Sequence, residues 1–477
     1  MGEILTEEFM IPMNLTAYKL AHSIHVPTSR IRGILHNRRK ITAGTFIRPG
    51  RFFGVSDRFP LEKEAVTTER KTSGERPGKP MREFYEPVLN LSDPEHHSTM
   101  GAFLTLKDPV DGEILRSAVE ALRIRFPYFY VRTASGEKDE ATVPNGLPMT
   151  VRNTWEPVSF NTEAANFHLA AWKYEGRRLA FEISHSLTDA AGVLPYVQSV
   201  LYLYLSEATG RFFDPAGFRL PGQPIPESET GNPFRGLDVD GAAPFYQKKP
   251  VPDFFRLARG EDRDKTVFCL KLRESQVMQY CREFDGTPNV VVSVLMAKAA
   301  RRFDPSCEKA FTSMVCVDHK ALLGNHDNYR CFVGSAFLDF PRDRNPDNIR
   351  KACTIARGQL MLQAQPENSL WEIRQMKKGL PPPSPDVPQA SLCVSYPGSR
   401  SFGPLGPWID EFYIMTSLSK ITDVLCEITC VGCSFFLAFM QPFSSPDYFR
   451  CFLEELASAG IEYELLRSEP LRLCNIG

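Results

Sequence analysis

Residues 61–81 (LEKEAVTTERKTSGERPGKPM) carry almost no large apolar side chain and end in Ser-Gly and Pro-Gly pairs. A stretch of this kind cannot bury enough apolar surface to offset the entropy of ordering it, so it reads as a linker. It divides the 477 residues into a small head, residues 1–60, and a long body from residue 82 onward. The parts differ in charge. The head holds nine Lys/Arg against four Asp/Glu, a net of +5, while the whole chain stands at −1 and the remainder therefore at −6. No global field draws such a molecule onto nucleic acid; only the head is basic enough for that. With 43% hydrophobic and 24% charged residues, the chain as a whole has globular composition and is neither disordered nor collagen-like.

The twelve cysteines all fall between Cys269 and Cys474, without the spacing of a disulfide framework. The N-terminus, MGEILTEEFM, is acidic where a leader would be basic and then apolar. Both observations imply reduced thiols in a cytoplasmic protein. The most apolar run, CSFFLAFM at 433–440, is too short to cross a bilayer, so no membrane span is expected.

Apolar spacing in the body predicts mixed α/β structure. Ala102–Leu106 alternates as a strand, and Asp111 caps a helix with Leu115, Val119 and Leu122 on one face, closed by Pro127. Residues 167–185 predict a hairpin turning at Glu175-Gly176, followed by a long helix from Asp189 to Ser206. Residues 207–262 have no period and read as a crossover. A second αβ pattern then follows. TVFCLKL, FTSMVCVDH, GSAFLDF, ASLCVSYPG and EFYIMTSL are predicted strands, VLCEITCVGCSFFLAF a hairpin, and NVVVSVLMAKAARRF and SPDYFRCFLEELASAGI helices. Two mixed halves, 82–246 and 247–477, are expected instead of a doubly wound parallel sheet. No GxSxG elbow, phosphate-binding loop or GxGxxG occurs.

The string with most chemistry is FEISHSLTDAAG, residues 181–192. A strand delivers His185, Asp189 follows four residues later, and a helix departs at once. An imidazole fixed at a strand end can face a cleft and take a proton near neutral pH, while the carboxylate caps the helix or pairs with a cation. The plain alternative is a capped helix start beside a histidine whose nitrogens are satisfied.

The string resembles the HxxxDG signature of the chloramphenicol-acetyltransferase-like superfamily, which includes condensation domains and alcohol acetyltransferases. DPVDGEILRSAVEALRIRFPYF (108–129) resembles its first helix, and VCVDHKALLGNHDNYRCFVGSAF (315–337) its VDLRK stretch in the bacterial alcohol-acetyltransferase-like branch. The resemblance implies two similar lobes forming one tunnel. His185 would be the general base acting on a small alcohol or amine acceptor. Acyl-CoA or an acyl carrier protein would be the donor, with no permanently bound cofactor and no metal. Asp189 would orient the loop through an ion pair. Two departures stand out: Ala190 replaces the glycine, with Gly192 two residues on, and Lys320 replaces the arginine, with His319 before it. Ala190 is expected to narrow the acyl space, and a lysine cannot supply a guanidinium fork.

Residues 3–59 resemble an XRE-type helix-turn-helix of the HigA-like antitoxin branch, carried by TAYKLAHSIHVPTSRIRGILHNRRKITAGTF. The resemblance implies DNA binding through this head. Thr28, Ser29, Arg30 and Arg32 would face base edges, and Arg38 and Arg39 phosphates. Pro49, with Gly44 and Gly50, interrupts the next helix at about 3 kcal/mol for the proline alone, so the head is expected to be degenerate. Cys430-Val431-Gly432-Cys433 lacks a second ligand pair and is expected to be a hairpin turn at Val431-Gly432 flanked by cysteines. His96-His97 reads as loop surface. The leading function is acyl transfer. A DNA-binding regulator with a non-catalytic, ligand-sensing body, or an interaction scaffold, remains the alternative.

Overall fold

The computed structural model describes residues 98–476 apart from 134–141, 235, 247, 249–250, 252, 258–263, 343–347, 379–386 and 399–401, together with Ala17, Ala21, Thr28 and Ser29. The chain divides into two compact units, Met1–Lys79 and Pro80–Gly477. In the first, the four described residues are helical and Ala21 is buried.

The second unit is built on two sheets. Strands in the first are β1 (Thr99–Leu106), β2 (Val151–Asn153), β3 (Ala170–Glu175) and β4 (Arg178–Ser184). Those in the second are β5 (Thr266–Arg273), β6 (Phe311–Asp318), β7 (Val333–Phe340) and β8 (Ala390–Ser395). β9 (Ile409–Thr416) follows, then β10 (Thr422–Val431), β11 (Ser434–Gln441) and β12 (Tyr463–Pro470). The first sheet runs β9-β1-β4-β3-β2 and the second β7-β6-β8-β10-β11-β5-β12. β8 lies parallel to β6 and β10, and β2 parallel to β3; the other neighbours are antiparallel.

β9 comes from the second half of the chain but completes the first sheet, with Met100 opposite Thr416 and Leu104 opposite Phe412. Asn475–Ile476 likewise pairs with Ser159–Phe160. Sheet membership therefore does not follow a division of the sequence at 246/247.

Every residue of β1 is buried, although Ala102–Leu106 reads as alternating. β1 sits inside its sheet with both faces covered, so no polar face is needed. The same reason accounts for the apolar run in β11, whose Leu437 and Phe439 pack outward under helices while Phe436 and Ala438 pack toward the first sheet.

Seven helices matter to the site or the core: α1 (Gly112–Ala121), α2 (Ala190–Thr209), α3 (Glu274–Glu283), α4 (Pro288–Phe303), α5 (Ile349–Gln363), α6 (Pro366–Lys377) and α7 (Asp447–Ser458). Asp111 caps α1 through the amides of Glu113 and Ile114, as its position predicts. α4 and α7 cover the outer face of the second sheet.

The β10–β11 hairpin turns on Gly432-Cys433, with Val431 opposite Ser434 and φ of 58° and 59° at the two turn residues. This is one residue beyond the expected Val431-Gly432. A two-residue turn with both φ positive would force β-branched Val431 into the left-handed region, and the shift avoids that. Cys433 is consequently in the turn and exposed. Among the described residues no helix is long and apolar enough to cross a membrane.

Candidate active site

β4 ends at Ser184, and the next amide, that of His185, still donates to Ser98 O at 2.9 Å. The ladder thus fixes the backbone of His185 while its half-buried ring stands beyond the sheet. Its Nδ1 lies 2.9 Å from Thr188 O. A carbonyl only accepts, so Nδ1 carries the proton and the lone pair of the neutral ring is on Nε2. Burial holds the imidazole below its ordinary value of 6.5; the Asp189 carboxylate pulls it upward and the Lys320 ammonium downward.

Asp189 is buried and serves three elements. Its Oδ1 accepts from Gly192 N at 2.8 Å, capping α2. Its Oδ2 accepts from Phe332 N at 3.0 Å. Lys320 Nζ lies 2.6 Å from each carboxylate oxygen and donates its third bond to Arg330 O at 3.0 Å. Lys320 is itself completely buried, so all three ammonium protons are satisfied away from water. The expectation that lysine cannot replace a guanidinium fork is met differently here: one nitrogen bridges both oxygens.

The tight approach in this loop is at Gly192, not at Ala190. A Cβ on Gly192 would lie 2.1 Å from Tyr329 O and 2.5 Å from Thr188 Oγ1. Ala190, the first residue of α2, is half-buried. Thr188 Oγ1 also donates to Tyr329 O at 2.6 Å. The segment between β6 and β7 is therefore clasped onto the His185 loop through Lys320, Tyr329 and Phe332.

A second ionic knot holds the same segment, and nothing in the sequence pattern signals it. Buried Glu229 receives Arg125 at 2.7 and 2.8 Å, Tyr128 Oη at 2.5 Å and Arg219 at 3.0 Å. Its carbonyl accepts from Tyr329 N at 3.1 Å, and the Tyr329 ring stacks on Tyr128 at 4.0 Å. His319 is also held, with Nδ1 2.5 Å from Ser369 Oγ in α6 and Nε2 3.1 Å from Glu372.

Of the head residues singled out from the sequence, Thr28 is helical and half-buried and Ser29 helical and exposed. Arg30, Arg32, Arg38 and Arg39 lie outside the described residues, as do His96 and His97. Among the described residues no group of three or more His, Cys, Asp or Glu is arranged to hold a metal.

No family model matches the chain. The solved structures supply the comparison. Polyketide synthase associated protein 5 from Mycobacterium tuberculosis superposes with a TM-score of 0.54 at 13% identity, over 78% of this chain and 96% of its own. The first condensation domain of the calcium-dependent antibiotic synthetase gives 0.50 at 14% identity, over 76% of this chain and 90% of its own. The body has the condensation-domain fold. The nonribosomal peptide synthetase FmoA3 matches with a TM-score of 0.52 at 14% identity, over 76% of this chain and 40% of its own. These identities make the likeness one of fold. Virulence-associated protein I of Dichelobacter nodosus is 51% identical over 53 residues, which is 11% of this chain and 49% of that protein. The chain thus spans about half the length of the curated relative it matches.

Proposed function

We propose that the condensation-fold body is an acyltransferase, moving an acyl group from a thioester to a hydroxyl or amine acceptor with His185 as general base. The supporting observation is the 2.9 Å contact between His185 Nδ1 and Thr188 O: Nδ1–H donates to that carbonyl, which leaves the lone pair on Nε2, and burial disfavours the charged form of the ring. Nε2 takes the acceptor's proton as its oxygen or nitrogen bonds to the thioester carbon. The tetrahedral intermediate then collapses, the C–S bond breaks, and the proton passes to the departing thiolate. Both substrates meet directly, so proximity contributes much of the rate and no acyl-enzyme is needed. Acyl-CoA is the donor we favour, with a carrier-protein thioester as the variant. Asp189 and Lys320 position the loop and do not exchange protons with substrate.

The test is thiol release by the full chain from short to long acyl-CoAs with a panel of alcohols and amines. Acceptor-dependent release that falls about 10²–10⁴-fold in His185→Ala supports the assignment. Equal release by the variant removes His185 as the base. No release with any pair favours the reading of the body as a non-catalytic ligand sensor.

A further inference from the structure

The second sheet carries a polar stripe on the face turned toward the first. Cys393 and Leu425 pack in one cluster with Met100 and Ile183 of the first sheet, and Met314 and Cys316 lie against it. Leu392, Val394, Cys426 and Ile428 pack in the other cluster, under the outer helices. Strand alternation therefore places Cys316, Cys393, Ser395 and Glu427 on the inner face. Register joins them across β7, β6, β8 and β10. Ser335 stands opposite Cys316, the Cys316 and Cys393 sulfurs are 3.7 Å apart, and Ser395 stands opposite Glu427.

The two ends of the stripe differ. At one, Ser335 is exposed and Cys316 and Met314 are half-buried, although β6 is an interior strand. At the other, Glu427 is 5% exposed; the Ser395 side chain hydrogen-bonds its carboxyl, and its Oε2 has no hydrogen-bond partner among the described residues. Among the described residues no basic side chain stands against it, and burial pushes its carboxyl up to about 7. An ionised carboxylate in such a place is costly, so it either takes up a proton or is met by a cation. The strand carrying it continues from the site. Thr99 pairs with Ser184 just before His185, and its carbonyl accepts from Ser417 N at 2.8 Å. Ser417 then leads through residues 418–421 into β10.

Resting on the acyltransferase reading, we propose that this stripe receives the acceptor and that Glu427 binds a protonated amine on it. The acceptor class is then an amino alcohol. An ammonium has no lone pair with which to attack, so the anchored nitrogen is not the nucleophile. The hydroxyl at the other end goes to His185 and forms the ester, its proton passing to Nε2 and then to the released thiolate.

The test uses the full chain and Glu427→Gln, with unbranched amino alcohols from aminopropanol to aminooctanol and the matching alkanols. The readouts are the KM ratio of alkanol to amino alcohol and the thermal shift each compound produces. The native chain is expected to prefer amino alcohols by about tenfold in KM, the scale of one charge-assisted contact, with an optimum chain length. Glu427→Gln is expected to bring the ratio to about one, and Glu427→Asp, which keeps the charge, to retain a preference. A native chain without preference, or a ratio that survives in Glu427→Gln, overturns the proposal. If no compound is acylated, the transferase reading fails and the thermal shift decides this one alone. Stabilisation by amino alcohols that is lost in Glu427→Gln supports it; no shift in the native chain overturns it.

Discussion

At the scale of single residues, the candidate base is set by a backbone carbonyl and a buried charge pair. Thr188 O chooses the tautomer; Asp189 and Lys320 act on the ring with opposite sign. Because burial disfavours the imidazolium, the acid limb of a kcat/KM profile is expected to fall below pH 6.5. Asp189→Asn removes the carboxylate and leaves the ammonium, so the limb should move lower still. Lys320→Met does the reverse and should move it up. Each change breaks a buried pair, at about 3–5 kcal/mol, so profiles should be taken well below the measured Tm of each variant. Limbs that stay put, or move together, would dismiss this electrostatic account. The sequence exposed His185 and Asp189 because they share one short string. It could not expose Glu229 or Glu427, since their meaning comes from burial and from neighbours far away in the chain.

At the scale of elements, the junction of β4 and α2 is where the two sheets are tied. The four-residue step from His185 to Asp189 gives just enough chain to leave a strand and cap a helix. Gly192, in the first turn, lets Tyr329 O approach where a side chain would collide at 2.1 Å. Gly192→Ala is expected to destabilise by about 1–3 kcal/mol, because the obstacle is backbone and cannot rotate away. Denaturant unfolding checks this, and a loss within experimental error would mean the loop yields easily. Elements with one dominant apolar face, such as α1 and α7, were legible from their spacing. β12 was not, because as an edge strand with largely exposed residues it has little alternation to read. α5 was missed as well, burying chiefly the small residues Cys353 and Ala356.

At the scale of the whole molecule, the lobes are not separable lengths of chain. β9 and Asn475–Ile476 return from the C-terminal half to complete structure begun before residue 160. Residues 82–246 alone would leave β1, buried along its whole length and largely apolar, with an unpaired edge. That fragment is expected to show no cooperative thermal transition by circular dichroism, whereas residues 82–477 should melt cooperatively. A cooperative melt of the fragment would show that the first sheet stands without β9.

Residues 61–81, read as a linker, lie outside the described residues. Composition and spacing alone were enough for the mixed α/β character of the body, most of its helix and strand positions and the His185–Asp189 string. These are local properties, fixed by side-chain period, capping and composition. Tertiary structure was needed to see that β9 crosses to the first sheet, that Lys320 bridges both oxygens of Asp189, and that Glu427 is buried with no basic side chain against it among the described residues. Those facts depend on which distant residues meet, and the energy of a buried charge is set by its neighbours in space rather than along the chain.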